Sequence, residues 1–135
     1  MCHRSRVDPR QRESIRPAHE ARRAVAVYKD ARIAVVVPAR NEEAFVGTTI
    51  RTMPALVDHI LVVDDASSDG TVREVLALAE PRVRLLTHAK RLGVGGATMV
   101  GYRAALDLQV DLVVKMDGDG QMTPNHLPQQ LDAIL

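Results

Sequence analysis

From Arg32 onward, short apolar runs alternate with stretches in which apolar residues recur every three or four positions. "RIAVVV" (32–37) is a β-branched run. Pro38, with no N–H to give to a ladder, predicts that this strand stops there. In residues 42–53, Phe45, Val46, Ile50 and Met53 fall on one helical stripe, and Glu42 and Glu43 are placed to favour the positive end of the helix dipole. "HILVVD" (59–64) predicts a second, buried strand. Asp69-Gly70 predicts a turn, with a Ser or Asp capping a helix over 71–79. "RVRLLT" (82–87) alternates, which predicts a strand near an edge. A glycine-rich turn leads into a helix over 97–108, followed by a strand over 111–116 and the start of a helix over 124–135. Strands separated by helices of about ten residues predict βαβ units, hence an α/β fold with a mostly parallel sheet and helices on both faces. The pattern stops inside an apolar helical segment with no cap, so the chain reads as a fragment, incomplete at its C-terminus.

Charge divides the chain. Residues 1–32 carry nine Lys and Arg against four Asp and Glu, whereas 33–135 carry nine against thirteen. Residues 1–31 therefore read as a basic, flexible arm, broken by Pro9 and Pro17, and 32–135 as the folded unit. Such an arm is either simply solvated or held electrostatically to anionic lipid or nucleic acid. It lacks the apolar segment of a secretory signal. With no Trp, one Phe and two Tyr, the chain has no stacking platform for single-stranded nucleic acid. Cys2, the single cysteine, excludes an internal disulfide. The longest apolar runs are too short to cross a bilayer, which leaves peripheral contact.

Ligands of parallel α/β sheets collect at the carboxyl ends of the strands. The segments following the predicted strands are "PARNEE", "DDASSDG", "HAKRLGVGG" and "DGDGQ", all polar and all on one rim. In an extended chain Asp117 and Asp119 project to the same side, and Gly118 lets a ligand approach the backbone. Two carboxylates so close repel unless a cation lies between them, and hard oxygen donors suit Mg²⁺ or Mn²⁺. Gln121 can add a carbonyl oxygen. The plainer reading is an acidic turn, since Asp-Gly is common turn chemistry. An EF-hand fails on spacing, because Met122 and Pro128 stand where Gly and Glu are needed. A phosphatase-like Asp-x-Asp nucleophile pair stays open. "GVGG" (93–96) is an imperfect dinucleotide fingerprint, better read as a tight turn that permits close helix packing and turns backbone N–H groups toward an anion. Asp64 and Asp65 end an apolar strand, where they can accept from a base N–H or a ribose hydroxyl. His59 and His88 read as surface or loop residues.

Taken in order, "VVVPARNEE", "ILVVDDASSDGT", "KRLGVGGATMVGY" and "VVKMDGDGQMTP" resemble the family 2 glycosyltransferases with the GT-A fold. Within that family the chain is most similar to the dolichol-phosphate mannose synthase and polyprenyl-phosphate glycosyltransferase branch. The resemblance implies a nucleotide-sugar-binding half of a GT-A domain. It implies that Pro38, Arg40 and Glu42 line the nucleotide pocket and that Val63 and Asp65 contact base and ribose. Asp117, Gly118 and Asp119 would form the DxD signature, Asp119 being the catalytic member, with Asp117, Asp119 and Gln121 as ligands of Mg²⁺ or Mn²⁺. The implied reaction is metal-dependent, inverting transfer of a sugar from UDP- or GDP-sugar to a polyprenyl phosphate, in the cytoplasm or at the cytoplasmic face of a membrane, with no nucleic-acid partner. Arg40 stands where the family frequently has an aromatic residue. Two alternatives stand beside this reading: a truncated nucleotide-sugar-binding fragment without transferase activity, and a Mg²⁺-dependent phosphatase built on Asp117 and Asp119.

Overall fold

A computed structural model describes residues 30–117 and 127–128. Four strands, β1 (Ile33–Ala39), β2 (His59–Asp65), β3 (Val83–His88) and β4 (Leu112–Lys115), form one parallel sheet in the order β3-β2-β1-β4. Three helices connect them: α1 (Val46–Arg51), α2 (Thr71–Ala77) and α3 (Gly93–Asp107). The chain steps outward from β1 to β2 to β3, then returns to place β4 on the other side of β1. The strand order therefore reverses between β1 and β4, and that switch point opens a crevice at their carboxyl ends.

β1 is central, and all seven of its residues are buried. Its alternation builds two cores. Ile33, Val35 and Val37 pack with Ile60 and Val62 of β2 against Val46 and Ile50 of α1 and Val75 of α2. Ala34 and Val36 pack with Leu61 and Val63 against Ala97 and Ala105 of α3. Each Val or Ile removed from water in this way contributes roughly 1.5–3 kcal/mol. The α3 face is built from small residues because the helix lies close to the sheet. A Cβ at Gly101 would overlap Val36 Cγ1, so only glycine fits there.

Polar groups at the amino ends of the strands are structural. Asp58 accepts from the Ile33 N–H at 2.9 Å and Asp111 from the Arg32 N–H at 2.8 Å. The Arg82 guanidinium donates to the carbonyls of Pro54, Val57 and Met53 at 2.7, 3.1 and 3.3 Å and pairs with Glu80 at 2.9 Å. It satisfies carbonyls left over where α1 ends and β2 has yet to begin.

Several boundaries differ from the sequence pattern. β1 does not stop at Pro38, which pairs with Val63 of β2. On its β4 side the ladder ends at Val36, whose carbonyl accepts from the Met116 N–H. Pro38 lies two residues further along that same side, so its missing donor breaks no bond. Phe45 is not part of the buried stripe; it precedes α1 and is 51% exposed, while Val46, Ile50 and Met53 are buried. α1 is only six residues long, and its first turn holds no acidic residue, so Glu42 and Glu43 do not serve its dipole. The glycines expected in a turn before α3 form its first turn instead, opened by Gly93 at φ +79°. The residue preceding α2 is Gly70, without a side-chain cap; Asp69, one position earlier, accepts from the Thr71 N–H at 2.9 Å. The helix expected over 124–135 lies outside the described residues except for Leu127 and Pro128, which are helical.

Candidate functional site

The segments after β1 and β2 are fastened to each other. The Asn41 N–H donates to Ser67 Oγ at 3.0 Å, and the Ser68 N–H donates to Asn41 Oδ1 at 2.8 Å. The Glu42 N–H donates to Thr71 Oγ1 at 2.9 Å, and the Gly70 N–H donates to Glu43 Oε2 at 2.9 Å. Ser67, Ser68 and Asp69 are thus more than turn and cap residues, because they hold the first loop in place. The loop leaves the extended conformation at Asn41, which is left-handed at φ +53°. Asn41 and Glu43 bond to the neighbouring loop, while Pro38, Arg40 and Glu42 line a cleft.

That cleft measures about 180 Å³ and lies at the switch point. Besides those three residues, its walls include Asp65 from the end of β2, Asp117 just beyond β4, Arg91 from the segment before α3, and Val94 and Ala97 from the first turns of α3. Five of the site residues expected from sequence therefore meet in one place. Val63 does not reach it; fully buried, it packs against α3. Gly118, Asp119 and Gln121 lie outside the described residues. Arg91, Val94 and Ala97 were not singled out from the sequence, although they follow β3 on the same rim.

Asp65 is 4% exposed, and its carboxylate is tightly held. Oδ1 lies 2.7 Å from His88 Nε2 and accepts from the Leu92 N–H at 2.7 Å, while Oδ2 accepts from the Gly93 N–H at 2.9 Å. An ionised carboxylate only accepts, so the shared proton sits on His88 Nε2. Burial alone would push the Asp65 carboxyl up. The Leu92 amide, the His88 ring and the Gly93 amide together outweigh it and hold the group below its ordinary value of 3.8. His88, read from sequence as a surface or loop residue, is instead the last residue of β3 and a partner of this carboxylate. The anion faced by the amides at the start of α3 is Asp65 itself. Asp64 points to the opposite face of the sheet. Its Oδ2 accepts from the Ser67 N–H at 3.4 Å, and its buried Oδ1 has no hydrogen-bond partner among the described residues.

Asp117 is 39% exposed and pairs with Lys115 at 3.2 Å, the i, i+2 relation expected of an extended chain. Its hard oxygen donors, half-buried at the cleft, fit Mg²⁺ or Mn²⁺. Among the described residues, no group of three or more His, Cys, Asp and Glu is placed to hold a metal ion. No helix among them is long and apolar enough to cross a membrane.

The model of glycosyl transferase family 2 matches residues 34–135. An undecaprenyl-phosphate mannosyltransferase of Micrococcus luteus is 36% identical over 107 residues, which cover 76% of this chain and 44% of that protein. A polyprenol monophosphomannose synthase of Mycolicibacterium smegmatis is 37% identical over 110 residues, covering 76% of this chain and 41% of that protein. The chain thus spans less than half the length of these curated relatives. Among solved structures, glucosyl-3-phosphoglycerate synthase from Mycobacterium tuberculosis in complex with Mn²⁺, UDP and phosphoglyceric acid superposes with a TM-score of 0.64 at 28% identity, covering 86% of this chain and 41% of that one. The same enzyme has also been crystallised with Mg²⁺ and UDP.

Proposed function

The chain belongs to glycosyl transferase family 2 and has its GT-A fold, and from that premise we propose that its cleft binds the nucleoside diphosphate of a sugar donor for inverting transfer to a polyprenyl phosphate. The observation that carries this reading is the meeting of Pro38, Arg40, Glu42, Asp65 and Asp117 at the switch point of the sheet. The relatives named for undecaprenyl-phosphate and polyprenol mannose transfer support the acceptor class, and the neighbour crystallised with UDP supports the donor. The family match favours transfer over the phosphatase alternative.

Each residue has a definable task in this reading. Pro38, Arg40 and Glu42 form the wall against which the nucleotide lies. A carboxylate offers about four acceptor positions. Three of those on Asp65 are taken by His88, Leu92 and Gly93, which leaves one on Oδ2 for a base N–H or a ribose hydroxyl. Asp117, with Asp119 and Gln121, would hold Mg²⁺ or Mn²⁺. When bound, the ion supplies Lewis-acid neutralisation of the charge that develops on the departing diphosphate. An acceptor phosphate is already ionised at neutral pH, so the attacking oxygen needs no strong base from the protein. Transfer to a lipid phosphate places the reaction in peripheral contact with the cytoplasmic face of a membrane.

The test is incubation with a panel of UDP- and GDP-sugars, Mn²⁺ or Mg²⁺, and a short-chain polyprenyl phosphate. Formation of the glycosyl lipid, lost in Asp119→Asn, is the expected result. Saturable donor binding without turnover would reduce the function to binding, and phosphate release from simple monoesters would replace it with phosphatase activity.

A further inference from the structure

The segment joining β3 to α3 is fixed at both ends by one side chain. His88 at its start and the Leu92 and Gly93 amides at its end all bond to the Asp65 carboxylate. This closure has two consequences. It occupies the amides of Leu92 and Gly93, so these groups are not available to a further anion. It also holds the backbone on either side of Arg91, the residue immediately before Leu92.

Arg91 is exposed and lines the same cleft as Arg40, which arrives from the loop after β1. Neither guanidinium has a hydrogen-bond or ion-pair partner among the described residues, whereas Lys115, Arg73 and Arg82 are each paired with a carboxylate. Two unpaired like charges in a cleft of about 180 Å³ repel each other. An anion between them removes that cost, and the planar fork of arginine matches the oxygens of a phosphate. Three carboxylates, Glu42, Asp65 and Asp117, share the cleft, and none of them is ion-paired with Arg40 or Arg91. Asp117 is engaged with Lys115, and Asp65 with its three donors.

We propose that Arg91 is a further donor-binding residue, contacting the diphosphate from the α3 side while Arg40 faces it from the β1 side. The assignment rests on the reading of the cleft as a nucleoside diphosphate site. It favours the donor's diphosphate over the acceptor's single phosphate because Asp117 and Asp65 line the same small space.

The experiment is calorimetric titration of the full chain and its Arg91→Gln and Arg91→Lys variants with UDP, GDP, uridine and guanosine in the presence of Mn²⁺, repeated with a short-chain polyprenyl phosphate alone. Removing one charge-assisted phosphate contact predicts that Arg91→Gln weakens nucleoside diphosphate binding by about ten- to a hundredfold and leaves nucleoside binding unchanged. Arg91→Lys should recover part of the loss. Unchanged diphosphate affinity in Arg91→Gln overturns the assignment, as does equal loss of nucleoside and diphosphate. Loss of polyprenyl phosphate binding alone also overturns it, since the contact would then belong to the acceptor. If the unsubstituted chain binds no nucleoside diphosphate, the reading of the cleft falls first and the Arg91 assignment with it.

Discussion

His88 Nε2 lies 2.7 Å from Asp65 Oδ1, across the ladder that pairs these two residues at the carboxyl ends of β3 and β2. The same oxygen accepts the Leu92 N–H, so one buried carboxylate joins the end of an edge strand to the beginning of the next helix. Asp65→Ala would leave these donors without an acceptor. Stranded buried donors cost roughly 1–3 kcal/mol each. The variant should lower the urea midpoint and weaken nucleotide binding together. An unchanged midpoint would mean that the clamp contributes nothing to the folded state.

The pH dependence of that contribution has a definite sign. The Asp65 carboxyl is held below its ordinary value of 3.8, so its stabilisation is fully present above that pH and disappears as the pH falls through the lower, folded value. Asp65→Asn carries no titrating group. The stability gap between the native chain and Asp65→Asn should therefore be widest near neutrality and close on acidification below 3.8. Chemical denaturation at several pH values reads this directly, and a gap that stays constant contradicts it.

Gly101 and Val36 fix the distance of α3 from the sheet, since any Cβ at Gly101 meets the valine side chain. Gly101→Ala should destabilise by about 1–3 kcal/mol, as expected of overpacking. Shortening the partner in Gly101→Ala/Val36→Ala should restore part of the loss. A destabilisation that Val36→Ala merely adds to would place the strain elsewhere.

Asp117→Asn separates site from fold. The side chain is 39% exposed, and its ion pair with Lys115 is of the partly exposed kind that contributes about 0–1 kcal/mol. Thermal stability should hardly change, whereas Mn²⁺-dependent affinity for UDP or GDP should fall by at least about tenfold, the loss of one charge-assisted contact. Chelation of the metal should reduce the affinity of the unsubstituted chain to a similar extent. Equal affinities with and without metal would remove Asp117 from the ligand set.

Arg82→Ala makes the complementary test at the other end of the sheet. Three carbonyls lose their donor, which predicts a loss of roughly 1–3 kcal/mol or more. Nucleotide affinity of the folded protein should be unaffected, because Arg82 acts at the amino ends of the strands. A selective loss of binding without loss of stability would contradict its structural role.

Most of the architecture was legible from local pattern. The β-branched runs mark β1 and β2, and the alternation in 82–87 marks β3 as the edge strand it proves to be. The errors lie where a neighbour overrides a local rule. Pro38 remains in a strand because β4 has already ended beside it. Phe45 leaves the core because α1 begins only after it. Gly93 joins α3 because Asp65 receives its N–H.

The sequence by itself determined the succession of strands and helices and the composition of the rim, because residue periodicity reflects backbone geometry only a few positions long. Only the tertiary structure decided what each rim residue does. Asn41 faces Ser67 and Ser68, His88 faces Asp65, and Arg91 shares a cleft with Arg40 and Asp117. These partners are more than twenty residues apart along the chain. Strand order and register bring them together, and neither is encoded in the spacing of any single segment.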